Sequence, residues 1–209
     1  NTPGDPIVDI FFTDAHGHES QPVLNLECKV ALFKADLIIM SSGTQWSSLI
    51  PTYASIGFKE TIEKSKAKVV MVMNRVPDKD APDQTASDII RTLVPKYFPA
   101  DRIDVIVDST GHELMNSIDD SASKLVKSVA RCKMQQFEFN SPTKHNADKL
   151  ARAIIKVYFK EYLDAKAYVF DFDDTLVGRG NSFPKASKLN VKYLASSKKK
   201  VFLCTGNSI

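Results

Sequence analysis

The sequence predicts an α/β protein, a mostly parallel sheet covered by helices. Two observations carry this. The short apolar runs "LIIM" (Leu37–Met40), "VVMVMN" (69–74) and "IDVIVD" (Ile103–Asp108) lack the strict alternation of a half-wetted sheet and fit strands buried on both faces. Each is followed by a polar loop and a helical segment, the order that builds parallel crossovers.

The elements follow in order. "IVDIFF" (7–12) reads as a strand, and "LNLECKVALFKA" (24–35) as a helix leading into the strand Leu37–Met40. After the run 69–74, Thr85 and Asp88 form a capping-box start. Ala86, Ile89, Ile90, Leu93 and Val94 then make the apolar stripe of a helix that Pro95 ends or kinks. After Ile103–Asp108, residues 121–131 read as helical and "QFEF" (136–139) as a short strand. Residues 147–163 form an amphipathic helix, with Leu150, Ala151, Ile154, Ile155, Tyr158 and Tyr162 on one side. "AYVFD" reads as a strand, "SKLNVKYLASS" as a helix and "VFLCT" as a last strand. In such sheets ligands bind beyond the carboxyl ends of strands, so the loops after Met40, Asn74, Asp108, Phe170 and Leu203 are where a site is expected. The boundary between two domains, 1–164 and 165–209, is placed after the long helix.

Bulk properties narrow the function. The 209 residues are 43% hydrophobic with a net charge of +3, too balanced to suggest nucleic acid as a partner. No apolar run approaches the ~20 residues of a membrane span. Cys28, Cys132 and Cys204 are far apart and form no C-x-x-C, which suits reduced thiols in a cytoplasmic protein. The chain opens without Met, so part of the N-terminus is expected to be missing.

The densest chemistry is "YVFDFDDTLVGRG" (168–180). Asp171 ends an apolar strand and Asp173 follows two residues later. Carboxylates aimed at one cavity raise one another's pKa unless a cation intervenes, and Mg²⁺ is the hard cation for oxygen ligands. An ionised Asp can attack a phosphoryl group, and a second can protonate the leaving oxygen. The bland reading is an acidic surface turn.

The apolar strand followed by Asp171, Asp173 and Thr175 resembles the first motif of the haloacid-dehalogenase superfamily, and "VFLCTGNS" resembles its second. The resemblance implies the first part of a second Rossmannoid domain. Asp171 would be the nucleophile, Asp173 the general acid/base, and both would hold Mg²⁺. Thr205, Gly206 and Asn207 would contact phosphate. The family also needs a later lysine and acidic pair. The chain stops at Ile209, so little or no phosphatase activity is expected from it as it stands.

The other informative stretch is the turn after Met40. Ser41, Ser42, Gly43, Thr44, Ser47 and Ser48 set hydroxyls beside a glycine at a helix start, a combination that suits a phosphate or serves simply as a hydroxyl-rich cap. "ADLIIM", this turn, Trp46, Pro51, Asn74, "TASD" and "HNADKLARAII" together resemble the 2-phospho-L-lactate transferase family, whose relatives include the gluconeogenesis-factor proteins. The resemblance implies a Rossmann-like fold and a nucleoside diphosphate or nucleotide-sugar ligand with its phosphates near Ser42, Gly43, Thr44, Ser47 and Ser48. It also implies Mg²⁺ and a phosphorylated small metabolite as second substrate; a homo-oligomer is left open by the sequence. Asn74 and Asp88 would contact base, sugar or acceptor. Alternatively, Asn74 satisfies strand-end backbone groups and Asp88 is only a helix-start carboxylate. The family's glycine-rich first loop is absent from the chain, and Ser41 and Ser42 replace a Gly and a Pro. The full protein is thus expected to be a group transferase joined to a phosphatase. The alternatives are a nucleotide-sugar-binding regulator without transfer activity, or a scaffold that binds neither.

Three weaker signals are set aside. "MNRVPDKD" only faintly suggests a GTPase guanine motif, and no P-loop accompanies it. His16 and His18 fit a hydrated loop, and His112 is a lone residue past a strand end.

Overall fold

The computed structural model describes residues 7–134, 143–160, 167–171, 185–196 and 199–204. The chain divides into two compact units, Asn1–Tyr158 and Phe159–Ile209.

The first unit holds a four-stranded, all-parallel sheet in the order β1-β2-β3-β4. Its strands are β1 (Leu37–Met40), β2 (Lys68–Val72), β3 (Ile103–Asp108) and β4 (Ser128–Cys132). In-register pairing runs Ile38 to Val69, Val70 to Asp104 and Val105 to Val129. α1 (Leu26–Lys34) precedes the sheet. A π-helical turn (Gln45–Leu49), α2 (Ile50–Tyr53) and α3 (Phe58–Lys64) connect β1 to β2. α4 (Ala86–Tyr97) connects β2 to β3, and α5 (Glu113–Asn116) and α6 (Asp120–Ser123) connect β3 to β4. α7 (Ala147–Tyr158) follows.

The apolar runs have a physical reason to be continuous, because successive residues serve different cores. Val69, Met71, Met73, Ile103, Val105 and Val107 pack with the crossover helices on one face. Val70, Val72 and Ile106 pack with Ala153 and Val157 of α7 on the other. Neighbouring strands placed in sequence order put all three crossovers on one side, because such connections share one hand. Among the described helices, that leaves α7, together with Met134, to cover the second face. It reaches β2 and β3, and Ile39 of β1 stays exposed.

The second unit pairs β5 (Ala167–Asp171) with β6 (Lys200–Cys204) in parallel, Asp171 opposite Cys204, with α8 (Lys185–Ser196) between them in sequence.

Three sequence expectations are corrected. Residues 7–12 form no strand. Residues 121–131 are not one helix: α6 stops at Ser123, and Ser128 begins β4. The apolar spacing of Ala122, Leu125, Val126 and Val129 mimics a helix, but pairing with β3 wins, as tertiary context often does over a short local pattern. The strand expected over 69–74 is Lys68–Val72. "QFEF" lies outside the described residues.

Candidate functional site

The carboxyl ends of β1, β2 and β3 meet in one polar cluster. Two layers of side chains hold it together.

The first layer fastens the hydroxyl-rich turn. The Asn74 amide accepts from the Gly43 N–H at 2.8 Å and donates to the Gly43 carbonyl at 2.9 Å. This two-point pairing joins the loop after β1 to the loop after β2. Asp78, buried, accepts the Gln45 N–H at 2.5 Å, and Asp80 accepts the Ser47 N–H at 3.2 Å. The Trp46 indole N–H donates to Gln84 at 3.2 Å. Carboxylates suit this place, since N–H groups at a helix start favour negative charge. The turn's N–H groups at Gly43, Gln45 and Ser47 are therefore already occupied by the chain's own oxygens. Among the described residues, the hydroxyls of Ser42, Thr44, Ser47 and Ser48 make no hydrogen bond, and Ser47 and Ser48 are exposed. Gly43 does not need to be a glycine for space: an added Cβ would sit 3.4 Å from the nearest Leu49 carbon.

The second layer is ionic. Arg75 donates from Nε to the Asp108 carboxylate at 2.5 Å, and both side chains are buried. Asp108 also accepts from the Thr110 N–H and hydroxyl and from the Met134 N–H. Burial pushes the Asp108 carboxyl up, but these donors together outweigh it and hold the carboxyl below the usual range. Arg75 reaches on to the Lys144 carbonyl, and its own carbonyl accepts the His112 N–H. Gly111 lies against this pair so closely that a Cβ would fall 2.8 Å from the Arg75 carbonyl oxygen. His145 Nε2 lies 3.0 Å from the Met73 carbonyl. A carbonyl only accepts, so Nε2 carries the proton and Nδ1 is a buried acceptor without a partner among the described residues. Burial pushes the His145 pKa below its ordinary value.

Of the sequence-predicted residues, the structure brings Ser42, Gly43, Thr44, Ser47, Ser48 and Asn74 together. Asp88 stands apart. Its carboxylate closes the capping box of α4, accepting from the Thr85 hydroxyl and N–H, and pairs with Arg91 at 3.1 Å. Those Thr85 bonds lower its pKa. Asp171 ends β5. Asp173, Thr205, Gly206 and Asn207 lie outside the described residues. Sequence reasoning missed Arg75, Asp78, Asp80, Asp108 and His145. The signal available was the Asp-rich stretch "RVPDKDAPDQ" directly after Asn74. Among the described residues, no three His, Cys, Asp or Glu side chains come together as a metal would require, and no helix is long and apolar enough to cross a membrane.

Residues 5–163 match the family described as 2-phospho-L-lactate transferase CofD. The chain belongs to this CofD family. Two structures of one Bacillus halodurans protein, described as a member of the UPF0052 family, share the fold of the CofD region. They do so at TM-scores of 0.52 and 0.51, each with 22% identity and 64% of this chain covered. The match takes in 46% and 47% of those chains, so it spans about half of their length. No curated protein matches the chain. The CofD match ends before β5.

Proposed function

We propose that the CofD region binds a nucleoside diphosphate-linked substrate with its phosphates against Ser42, Thr44, Ser47 and Ser48, and transfers a phosphorylated small-metabolite group from it. The observation that carries this reading is the turn itself: four unengaged hydroxyls at the carboxyl end of a parallel strand, held in place by Asn74, Asp78 and Asp80. Asp78 and Asp80 fix the turn by accepting the Gln45 and Ser47 N–H groups, so the unengaged hydroxyls, rather than these N–H groups, are the donors offered to a phosphate. Family membership supports the transferase class. Mg²⁺ belongs to this reading as an expected companion of the diphosphate. The described side chains gather no three-ligand set for it, so no step is assigned to the ion.

The test is a thermal-shift series with guanosine and uridine diphosphates and nucleotide-sugars, with and without Mg²⁺. A ligand at 100 times its dissociation constant adds about 2.7 kcal/mol to stability. A nucleotide-specific shift that disappears in Ser48→Asp, which adds a negative charge at an exposed position, supports the reading. Unchanged melting with every nucleotide sinks it. A shift without group transfer by the full-length protein favours the regulatory alternative of the gluconeogenesis-factor type.

For the second unit, we propose the opening of a haloacid-dehalogenase-type phosphohydrolase. Asp171 at the end of a strand paired in parallel with β6 supports this. Asp171 would attack the phosphoryl group, and Asp173 would protonate the leaving oxygen. Mg²⁺ would be held by the Asp171 carboxylate and the Asp173 backbone carbonyl.

A further inference from the structure

Gln45 lies within the hydroxyl-rich turn and is 5% exposed, in company with the half-buried Ser42, Gly43 and Thr44. Its backbone N–H is held by Asp78 at 2.5 Å. Its side chain is held less firmly, by a single contact from Nε2 to the Gly43 carbonyl at 3.3 Å. The other end of the amide, Oε1, is buried and has no partner among the described residues. Turning the amide over does not cure this, because Oε1 would then face the Gly43 carbonyl, and neither oxygen can donate. The orphaned atom is therefore an acceptor. The two ends of a carboxamide are about 2.2 Å apart, so Oε1 lies within about 5.5 Å of the Gly43 oxygen. That same oxygen takes Asn74 Nδ2 at 2.9 Å, which places Oε1 in the strand-end cluster. An unmatched buried acceptor is costly, and native chains carry few of them without a reason.

We infer that Gln45 reads the sugar of the bound nucleotide, its Oε1 accepting a hydrogen bond from a ribose hydroxyl; this rests on the nucleoside diphosphate reading proposed above. The chemistry of the partner follows from the orphaned atom, which needs a donor. Ionised phosphate oxygens only accept, so they fall to the hydroxyls of Ser42, Thr44, Ser47 and Ser48, which can donate. The ribose is the next group along the ligand from its phosphates, and both of its free hydroxyls can donate. The N–H groups of the base are donors too, but they lie at the far end of the nucleoside, whereas Oε1 sits within the turn that would hold the phosphates. The long Nε2 contact lets the carboxamide turn towards the incoming hydroxyl, while the short Asp78 bond keeps the backbone of Gln45 in place. Gly43 loses little by this, since its carbonyl keeps Asn74 as a donor.

The test is isothermal titration of the chain with guanosine and uridine diphosphates and with their 2′-deoxy and 3′-deoxy counterparts. The wild type binds the ribose form about fivefold more tightly than the deoxy form that lacks the contacted hydroxyl. Gln45→Met, of similar length but without the acceptor, abolishes that preference. It weakens the ribose form by the same factor and leaves that deoxy form unchanged, the signature of a direct pairing between the two groups. Its melting temperature without nucleotide does not fall, because Met removes an unmatched acceptor. An amide that served only the turn would give the opposite result, a lower melting temperature and equal weakening of ribose and deoxy forms, and would overturn the inference. So would a ribose preference that survives in Gln45→Met. A wild type that binds both deoxy forms as tightly as the ribose form overturns the inference without recourse to a variant, and leaves phosphate recognition at the turn standing. A wild type that binds no diphosphate at all overturns that reading and the inference with it.

Discussion

Individual residues at the strand ends are assigned by what each would lose if replaced. Asn74 makes two hydrogen bonds to one residue, so Asn74→Ala leaves both the N–H and the carbonyl of Gly43 unmatched. The expected loss is about 1–2 kcal/mol, measured by urea unfolding. The two glycines nearby separate backbone crowding from a mere small-residue preference. Gly111→Ala pushes a Cβ against the Arg75 and Asp108 carbonyls, which are main chain and cannot swing aside. It costs about 1–3 kcal/mol. Gly43→Ala meets only a Leu49 side chain and costs under about 1 kcal/mol. Equal costs in the two variants would contradict the packing described. The importance of Asn74 was legible in the sequence as the last residue of an apolar run. The importance of Asp78 was not. Its partner, the Gln45 N–H, is 33 positions away, and a backbone donor leaves no trace in residue identity.

At the level of elements, the capping box of α4 was readable because its signal is local. Thr85 and Asp88 sit three apart, and each bonds the other's backbone N–H. Thr85→Ala is expected to cost about 1 kcal/mol. If Asp88 serves the helix alone, Asp88→Asn combined with Thr85→Ala costs less than the sum of the two singles, and any nucleotide-induced thermal shift survives. A lost shift with an additive cost would move Asp88 from the cap to the ligand. β4 illustrates the opposite case. Residues 128–132 carry alternating polarity too weak to outvote the helical spacing that begins at Ala122, and only the pairing with β3 makes them a strand. The central strands were legible because burial on both faces demands apolar residues at every position. β4 is only half-buried, with Arg131 exposed, and escapes that demand.

Across the whole first unit, the strand ends are cross-linked to the segment that leads into α7, the helix closing the second face of the sheet. Arg75 bonds the Lys144 carbonyl, and His145 bonds the Met73 carbonyl. Replacing Arg75 with Met strands the buried Asp108 carboxylate, and breaking a buried pair this way costs about 3–5 kcal/mol. The remaining Thr110 and Met134 donors place the expected loss at the lower end of that range. His145 gives this junction a pH dependence of definite sign. Its pKa is lower in the folded chain than in the unfolded one because the charged imidazolium is disfavoured by burial. Below the ordinary histidine value of about 6.5, the unfolded chain binds the proton more readily, so stability falls as pH drops through that value. The depressed Asp108 carboxyl acts in a separate, more acidic window. Its contribution is full above the ordinary carboxylate value of about 4 and is lost only below it. Urea unfolding of the wild type and His145→Gln at about pH 7.5 and about pH 5.5 isolates the histidine, since ordinary carboxylates stay mostly ionised across that interval. The wild type should lose more stability than the variant on going to the lower pH. An equal loss in both would mean that the imidazole is solvated when the chain is folded, and that the contact between His145 and β2 does not hold the α7 segment to the sheet.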